Sequence, residues 1–399
     1  MRSRAALLGL ALLLPGCDNQ YRPPVRSVPP SAPAPVRPAP APAPAPAPAA
    51  KPVAPADPIV GVVSHDRHSC IRRRSGAVAC WGYNGDGQLG DGSRVDQPRA
   101  VPVPGLSDMV EVVTGLNYSC ARRRSGAVVC WGNNEDGQLG DGLGARPGAR
   151  STAPVAVKGL GDAEELAGGD AHVCARRRAG AVVCWGLGGD GQLGAIVERS
   201  ATPLVVPALS QVVQVVSGAN HVCARRSGGD VLCWGRDTEG QLGDEARGSK
   251  PKPVPVVGIA DATMLVAGGN HTCALRRSGA VACWGSNQHG QLGDGKSGVF
   301  SQHTPVVVAG LTEVAELAAG RNHTCVRTRA GKAVCWGANA GGQLGDGTSA
   351  SRTRPTAVVR LTGAVDLALG TAHSCALLDT GNVACWGSDE HRALGPRRL

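Results

Sequence analysis

Aromatic side chains are scarce in this 399-residue chain: one Phe, three Tyr and seven Trp. A core of clustered rings is excluded, because rings supply much of the apolar area in such cores. Charged residues are also few, at 18%, while 42% of the chain is hydrophobic. Most of the chain is therefore too apolar to be disordered. No apolar run reaches the ~18 residues of a membrane-spanning helix. The 57 Gly and 29 Pro argue against a helical bundle and for turns and extended segments.

Cysteine is plentiful by contrast. There are fifteen, an odd number, so one differs in role from the rest. That one is Cys17. Arg2 and Arg4 precede an apolar run from Ala5 to Leu14, the length of a secretory signal core. The run ends in Leu14-Pro15-Gly16-Cys17, which resembles the lipobox of bacterial lipoproteins. The resemblance implies that residues 1–16 are a removed signal and that Cys17 carries the lipid. Pro15 departs from the small or β-branched residue usual there, and a plain secretory signal is the alternative. Either way the protein is exported, and the expected location is the bacterial cell envelope, periplasmic or at the surface.

Residues 17–50 read as the lipidated Cys followed by a disordered Pro/Ala-rich linker. Pro33 to Pro48 nearly alternates Pro with Ala, which favours polyproline II. At ~3.1 Å per residue, about thirty such residues form a spacer of roughly 90–100 Å.

Residues 51–399 are one unit written seven times. Fourteen cysteines form seven pairs: Cys70 with Cys80, Cys120 with Cys130, Cys174 with Cys184, Cys223 with Cys233, Cys273 with Cys283, Cys325 with Cys335, and Cys375 with Cys385. Trp-Gly follows the second Cys of every pair, from Trp81 to Trp386, and uses every Trp of the chain. A fixed period near fifty residues marks a propeller or a solenoid.

Within a unit the pattern is β. In the second repeat, Val101-Pro102-Val103 is a short edge strand and Val110 to Thr114 a β-branched one. Ser119 to Arg123 and Ala127 to Trp131 flank Ser125-Gly126, a hairpin signal. Asn133 to Gly142 is a Gly-Asp loop with Leu139 as its apolar peg. Four strands per repeat is the content of a propeller blade, and ring closure removes exposed sheet edges. The last repeat ends at Ala393-Leu394-Gly395 without a fourth strand. Pro52-Val53-Ala54 aligns with Pro102-Val103-Pro104 and is expected to supply it.

The core "GxNHxCAxRxSGxVxCWGxNxxGQLGDG", as at Gly269 to Gly295 or Gly320 to Gly347, resembles the repeat of the regulator of chromosome condensation family. The resemblance covers about residues 51–399. It implies an all-β fold, a seven-bladed β-propeller of four-stranded antiparallel blades, here preceded by the signal peptide and Pro-rich tether. Departures are local: Tyr118 for His, Ala195-Ile196 for Asp-Gly, and Ala393 for Gln. The paired Cys are an addition to the usual repeat.

The hairpin turn Arg74-Ser75-Gly76 fits a three-residue loop with Gly in the left-handed position, which pairs Arg73 with Ala77. Counting back sets Cys70 opposite Cys80 in a non-hydrogen-bonded pair, with Cα atoms near ~4.5 Å. One disulfide per blade follows, each worth about 2–3 kcal/mol, and export makes this chemically reasonable. The rival reading is metal, because His stands two residues before the first Cys in six repeats, as at His68. No CxxC occurs, and the spacing suits tetrahedral zinc poorly. No metal or cofactor is expected, and the His reads as a hydrogen-bonder inside each blade. The loop acids Asp91, Asp141, Asp294 and Asp346 resemble calcium loops but lack a dense acidic ligand set.

A residue present in every repeat serves what every blade needs, which is folding. Function is therefore sought in what differs. Arg clusters sit at the hairpin tips, Arg72 to Arg74 and Arg122 to Arg124 among them. They form a broken basic ring, read as an attraction for an acidic partner or as solvated tips. The variable segments Leu143 to Ala153, Ala195 to Thr202, Glu245 to Pro253, Lys296 to Thr304 and Thr348 to Pro355 are the better candidates, because inserts in repeat proteins collect on one face. They supply the binding candidates Phe300, Gln302, His303, Arg146, Arg150, Lys250 and Lys252, and Tyr83 adds a second unrepeated aromatic. Phe300 reads either as an interface anchor or as a cover for its own loop.

These observations lead to a non-enzymatic, membrane-anchored binding or scaffold protein that recognises an envelope or extracellular protein, or an anionic glycan. A monomer is expected. Nucleic acid is disfavoured by export and by the lack of interleaved aromatics. The alternatives are an exported lyase or hydrolase, which would need a constellation occurring once, a secreted protein inhibitor, or a purely structural envelope protein. Fold alone transfers none of these roles.

Overall fold

The second and third strands of each unit are buried along most of their length rather than on alternate residues, as in His68–Arg73 and Val78–Gly82. Such strands are covered on both faces. The outer strand Gln97–Pro102 is exposed over much of its length and carries two prolines, as an edge strand tolerates. The structure, a computed structural model, describes residues 57–144, 146–298 and 301–395. These fall in one unit, Pro55–Leu399.

Blade 1 comprises Ile59–His65, His68–Arg73, Val78–Gly82 and Gln97–Pro102, and blade 2 comprises Met109–Thr114, Tyr118–Arg123, Val128–Asn133 and Arg150–Ala156, each paired antiparallel in chain order. Four more blades repeat this order. Blade 7 has three described strands, Ala364–Leu369, His373–Leu378 and Val383–Gly387. The expected fourth strand at Pro52-Val53-Ala54 lies outside the described residues. Val101-Pro102-Val103, read as opening the second repeat, instead leads out of the outer strand of blade 1. Inner strands neighbour one another in sequence order, and the inner strand of blade 7 touches that of blade 1, so the seven blades close a ring. Among the described residues no helix is long and apolar enough to cross a membrane.

The hairpin count holds. The Arg73 amide bonds the Ala77 carbonyl at 2.8 Å, Gly76 takes φ +92°, and Cys70 pairs with Cys80. All seven expected disulfides form, each within its own hairpin. Cys70 is bonded to Cys80, Cys120 to Cys130 and Cys375 to Cys385 with Cα atoms 4.0 Å apart. Cys174 is bonded to Cys184, Cys223 to Cys233, Cys273 to Cys283 and Cys325 to Cys335 with Cα atoms 4.1 Å apart. The strands thus approach more closely than the expected spacing of a non-hydrogen-bonded pair, ~4.5 Å, because the bridge spans the pair directly.

The sulfurs face the gaps between blades. One apolar cluster fills each gap, as where Cys70, Cys80, Leu89, Met109 and Val112 of blades 1 and 2 meet Trp131. Each gap thus has one tryptophan, and a chain poor in aromatics still fills all seven.

The repeated histidines are fully buried or nearly so, and their bonds run between blades rather than inside them. His68 Nε2 meets Ser119 Oγ at 2.9 Å, and His373 Nε2 meets Ser69 Oγ at 3.1 Å across the seam between blades 7 and 1. His221, His271 and His323 make the same bond to Thr272, Thr324 and Ser374. Ser119 gives its only proton to the Gln88 carbonyl at 2.9 Å, so His68 donates through Nε2–H. The pattern breaks where Val173 and Val222 replace the hydroxyl. There Tyr118 reaches the Gly169 carbonyl directly at 2.9 Å, and both ring nitrogens of His172 lack partners among the described residues.

Candidate binding face

Strand register gives each blade two distinct ends. His68 pairs with Gly82, and Gly82 with Gln97, so the turn at 66–67 and the loop at 83–96 share one end. The hairpin tip at Arg74-Ser75-Gly76 lies at the other. All long loops, and every insert, therefore gather on one face of the ring. The described chain enters on the opposite face, where Asp57 accepts hydrogen bonds from the amide and hydroxyl of Ser75.

The repeated loop residues are occupied in folding. Leu89 is fully buried. The Gln88 carbonyl accepts from Trp131 Nε1 of the next blade at 2.8 Å, and its side-chain oxygen accepts from the Asp86 amide at 3.0 Å. Trp185, Trp234, Trp284, Trp336 and Trp386 bond the corresponding Gln carbonyls. Each loop is thereby pinned to the following blade, and recognition is left to residues outside the repeat.

The nominated residues spread around this face rather than converging. Phe300 lies outside the described residues. Arg146 and Lys252 are exposed. Arg150 pairs with Asp86 of blade 1 at 3.5 Å. Lys250 Nζ donates to the Arg247 and Gly248 carbonyls at 3.2 and 2.9 Å, and His303 Nδ1 meets the Ala246 carbonyl at 3.0 Å. Gln302 opens the outer strand of blade 5, half-buried. Tyr83 packs edge-on against His391, with centroids 4.8 Å apart, and lies under Arg67 at 5.7 Å. It serves the seam between blades 1 and 7. The face also exposes aliphatic side chains: Val95, Leu143 and Ile196 are 65%, 78% and 91% exposed. They stand in the loops of three successive blades.

One constellation occurs once. At the mouth of the central channel, on the loop face, His65 Nε2 meets Asp170 Oδ1 at 3.0 Å, and Arg321 Nη1 donates to both Asp170 oxygens at 3.3 and 3.1 Å. These residues belong to blades 1, 3 and 6, so the contact crosses the axis. Burial raises the Asp170 carboxyl, but His65 and Arg321 outweigh it and hold it at about 2. Beneath lies a channel of about 320 Å³ lined by inner-strand residues such as Val63, Val113 and Ala167. Asp170 is engaged on both oxygens, and the nearby hydroxyls are engaged too: Ser64 with Ser69, and Thr371 with Asp66. The arrangement braces the mouth. Sequence reasoning missed it, although a signal existed: Asp170 and Arg321 occupy one repeat position with opposite charge.

The basic ring at the hairpin tips is largely neutralised. Arg122 pairs with Glu111, Arg123 with Asp108, Arg176 with Glu164 and Glu165, Arg177 with Asp162, Arg276 with Asp261, and Arg327 with Glu316. Among the described residues no three His, Cys, Asp or Glu side chains cluster to hold a metal.

Comparison with known proteins agrees with this architecture. The model of the RCC1-like domain matches residues 39–315 and 166–398. Yeast RCC1 (Prp20), solved bound to Kap60, superposes with a TM-score of 0.72 at 22% identity, over 88% of this chain and 86% of that one. Human WBSCR16 gives 0.73 at 22%, over 83% and 87%. Prp20p from Saccharomyces cerevisiae, described with its binding to Gsp1p and histones, gives 0.68 at 22%, over 84% of each. At such identity the likeness shows the fold alone. No curated protein matches the chain.

Proposed function

The chain belongs to the RCC1-like domain family, and from that premise we propose a non-catalytic binding scaffold of a bacterial cell envelope, gripping a protein or glycan with its loop face and held to a membrane by a lipid on Cys17. The observation that carries this reading is the aliphatic arc of Val95, Leu143 and Ile196. Exposed aliphatic side chains gain free energy when a partner covers them. The arc lies on the face opposite the hairpin tip where Asp57 is bonded to Ser75. Prp20p, with the same fold, is described with protein ligands, which supports contact rather than turnover as the mode of action.

Two measurements test the proposal. The mature domain is used to capture partners from envelope extract, beside a triple variant, Val95→Asp, Leu143→Asp and Ile196→Asp, and a hairpin-tip variant, Arg74→Glu with Arg124→Glu. The expected outcome is retention lost in the first variant and kept in the second. Equal retention by both would remove the loop face as the contact surface. Membrane fractionation of Cys17→Ala tests the anchor: release into the soluble fraction is expected, and continued membrane association would discard it.

A further inference from the structure

In four of the seven loops, an asparagine three residues after the tryptophan ties the loop together. Asn84 Oδ1 accepts from the Leu89 amide at 3.0 Å, and its Nδ2 donates to Asp91 Oδ1 and to the Ser93 and Val95 carbonyls, each at 3.2 Å. Asn134 spans Leu139 and Asp141, Asn287 spans Leu292 and Asp294, and Asn339 spans Leu344 and Asp346. The acid stands seven residues after the asparagine each time. Its Oδ1 receives the amide proton together with a backbone N–H, as from Leu143 to Asp141.

Blade 4 breaks this arrangement in one atom. Its residue at the asparagine position is Asp237, and the acid seven further on is retained as Asp244. Asp237 Oδ1 still accepts from the Leu242 amide at 3.0 Å, so the side chain keeps the asparagine orientation. Asp237 Oδ2 therefore takes the place of the NH₂ group. The residue is 0% exposed, and this oxygen has no hydrogen-bond partner among the described residues. Asp244 Oδ1 accepts from the Ala246 amide at 3.1 Å, as its counterparts do. An acceptor thus stands toward an acceptor where the fold elsewhere sets a donor.

The neighbours relieve this only in part. The carbonyls that correspond to Ser93 and Val95 are those of Ala246 and Gly248. They are met by His303 Nδ1 at 3.0 Å and Lys250 Nζ at 2.9 Å. His303 Nδ1 is thereby spent on the Ala246 carbonyl, and its Nε2 is buried without a partner among the described residues. Lys250 Nζ also lies 3.8 Å from Asp244 Oδ2. One ammonium faces two carboxylates, and no described donor reaches Asp237 Oδ2. The other irregular blades avoid the conflict. Blade 3 has Gly188 and Ala195 at the two positions, and blade 7 has Asp389 with Pro396. Blade 4 keeps both acids, just ahead of the variable segment from Glu245 to Pro253.

A buried carboxylate oxygen without a donor calls for a compensating cation. We propose that Asp237 and Asp244 bind a single hard divalent cation of calcium's class in the blade 4 loop, with the Ala246 and Gly248 carbonyls beside them. Carboxylate and main-chain oxygens are the ligands such ions take, and water completes the shell on an exposed side. The loop from Glu245 to Ser249 is exposed, so an ion has a path in and Lys250 has room to withdraw. Nothing in this site depends on the loop-face reading above, and it survives or fails separately.

The alternative occupant is a proton. Burial raises the Asp237 carboxyl to about 6, with Asp244 adding to the rise. One experiment separates the two. Calcium chloride is titrated into the chelator-treated mature domain at pH 7.5 by calorimetry and by thermal unfolding, beside Asp237→Asn, which restores the residue of blades 1, 2, 5 and 6. The expected result is one calcium bound by the wild type and a midpoint raised by about 3–5 °C at saturating calcium. Asp237→Asn should bind none and should unfold above the wild type in chelator. A second variant, Asp244→Asn, should also lose calcium. No binding by the wild type, or equal binding by Asp237→Asn, overturns the proposal. So does a wild-type midpoint that ignores calcium while falling with pH above 6.

Discussion

Trp81 Nε1 donates to the carbonyl of Ala393 at 3.0 Å, joining blade 1 to the last loop of the chain across 312 positions. In the other six gaps the acceptor belongs to a glutamine. Alanine suffices here because the tryptophan reads the main chain, not the side chain. The seam has further bonds: the Val62 amide to Asp366 Oδ2 at 3.1 Å, the Thr371 amide to the Asp66 carbonyl at 3.1 Å, and His373 to Ser69. The ring is thus closed between described residues by hydrogen bonds together with the apolar cluster of that gap. Trp81→Phe should lower unfolding free energy by about 1 kcal/mol for the lost bond, whereas Ala393→Gln, which keeps the main-chain acceptor, should cost less than Trp81→Phe. Denaturant titration checks both.

The buried histidines predict acid sensitivity. Burial holds His68, His221 and His323 at about 3, and His172, His271 and His373 at about 4, against an ordinary 6.5. The folded state keeps these rings neutral, so below 6.5 the unfolded state binds more protons. Stability is complete above that pH and declines as pH falls toward 4, by roughly 1 kcal/mol per pH unit for each ring. Unfolding free energies measured from pH 7.5 to 4.5 should fall steeply. His271→Gln should show a shallower slope.

Asp366 acts in the opposite direction. Glu111, Glu165 and Glu316 each face an arginine on the neighbouring strand, but Asp366 faces Leu377. Burial and the Glu316 carboxylate raise it to about 7. A carboxyl raised in the folded state is favoured protonated, so its contribution is present at low pH and lost as pH rises through 7. Asp366→Asn keeps an acceptor for the Val62 amide and removes the titration. At pH 8 it should exceed wild-type stability by on the order of 1–2 kcal/mol, and the gap should narrow as pH falls from 7 toward 4, where the two should coincide.

The ring and its staples were legible because each rests on local spacing. A ten-residue interval around Arg-Ser-Gly fixes the register that brings Cys70 to Cys80, and Trp-Gly marks the third strand in every unit. The His bonds were misplaced because their partners, such as Ser119 for His68, stand about fifty residues away, and register within one blade says nothing of the next. The His65, Asp170 and Arg321 brace was less visible still, since its geometry depends on which blades stand opposite across the axis. Tyr83 stood out as an unrepeated aromatic, and its role proved to be packing against His391 at the seam.

Seven equivalent blades, each bridged across its own hairpin, send every insert to one face. Mass spectrometry of proteolytic peptides from the unreduced mature domain tests this most directly. The expected result is seven bridged species, Cys70 with Cys80 through Cys375 with Cys385, and no free thiol among these fourteen. Bridges joining cysteines of different repeats, such as Cys130 with Cys174, or paired cysteines that label freely in the native protein, would contradict it.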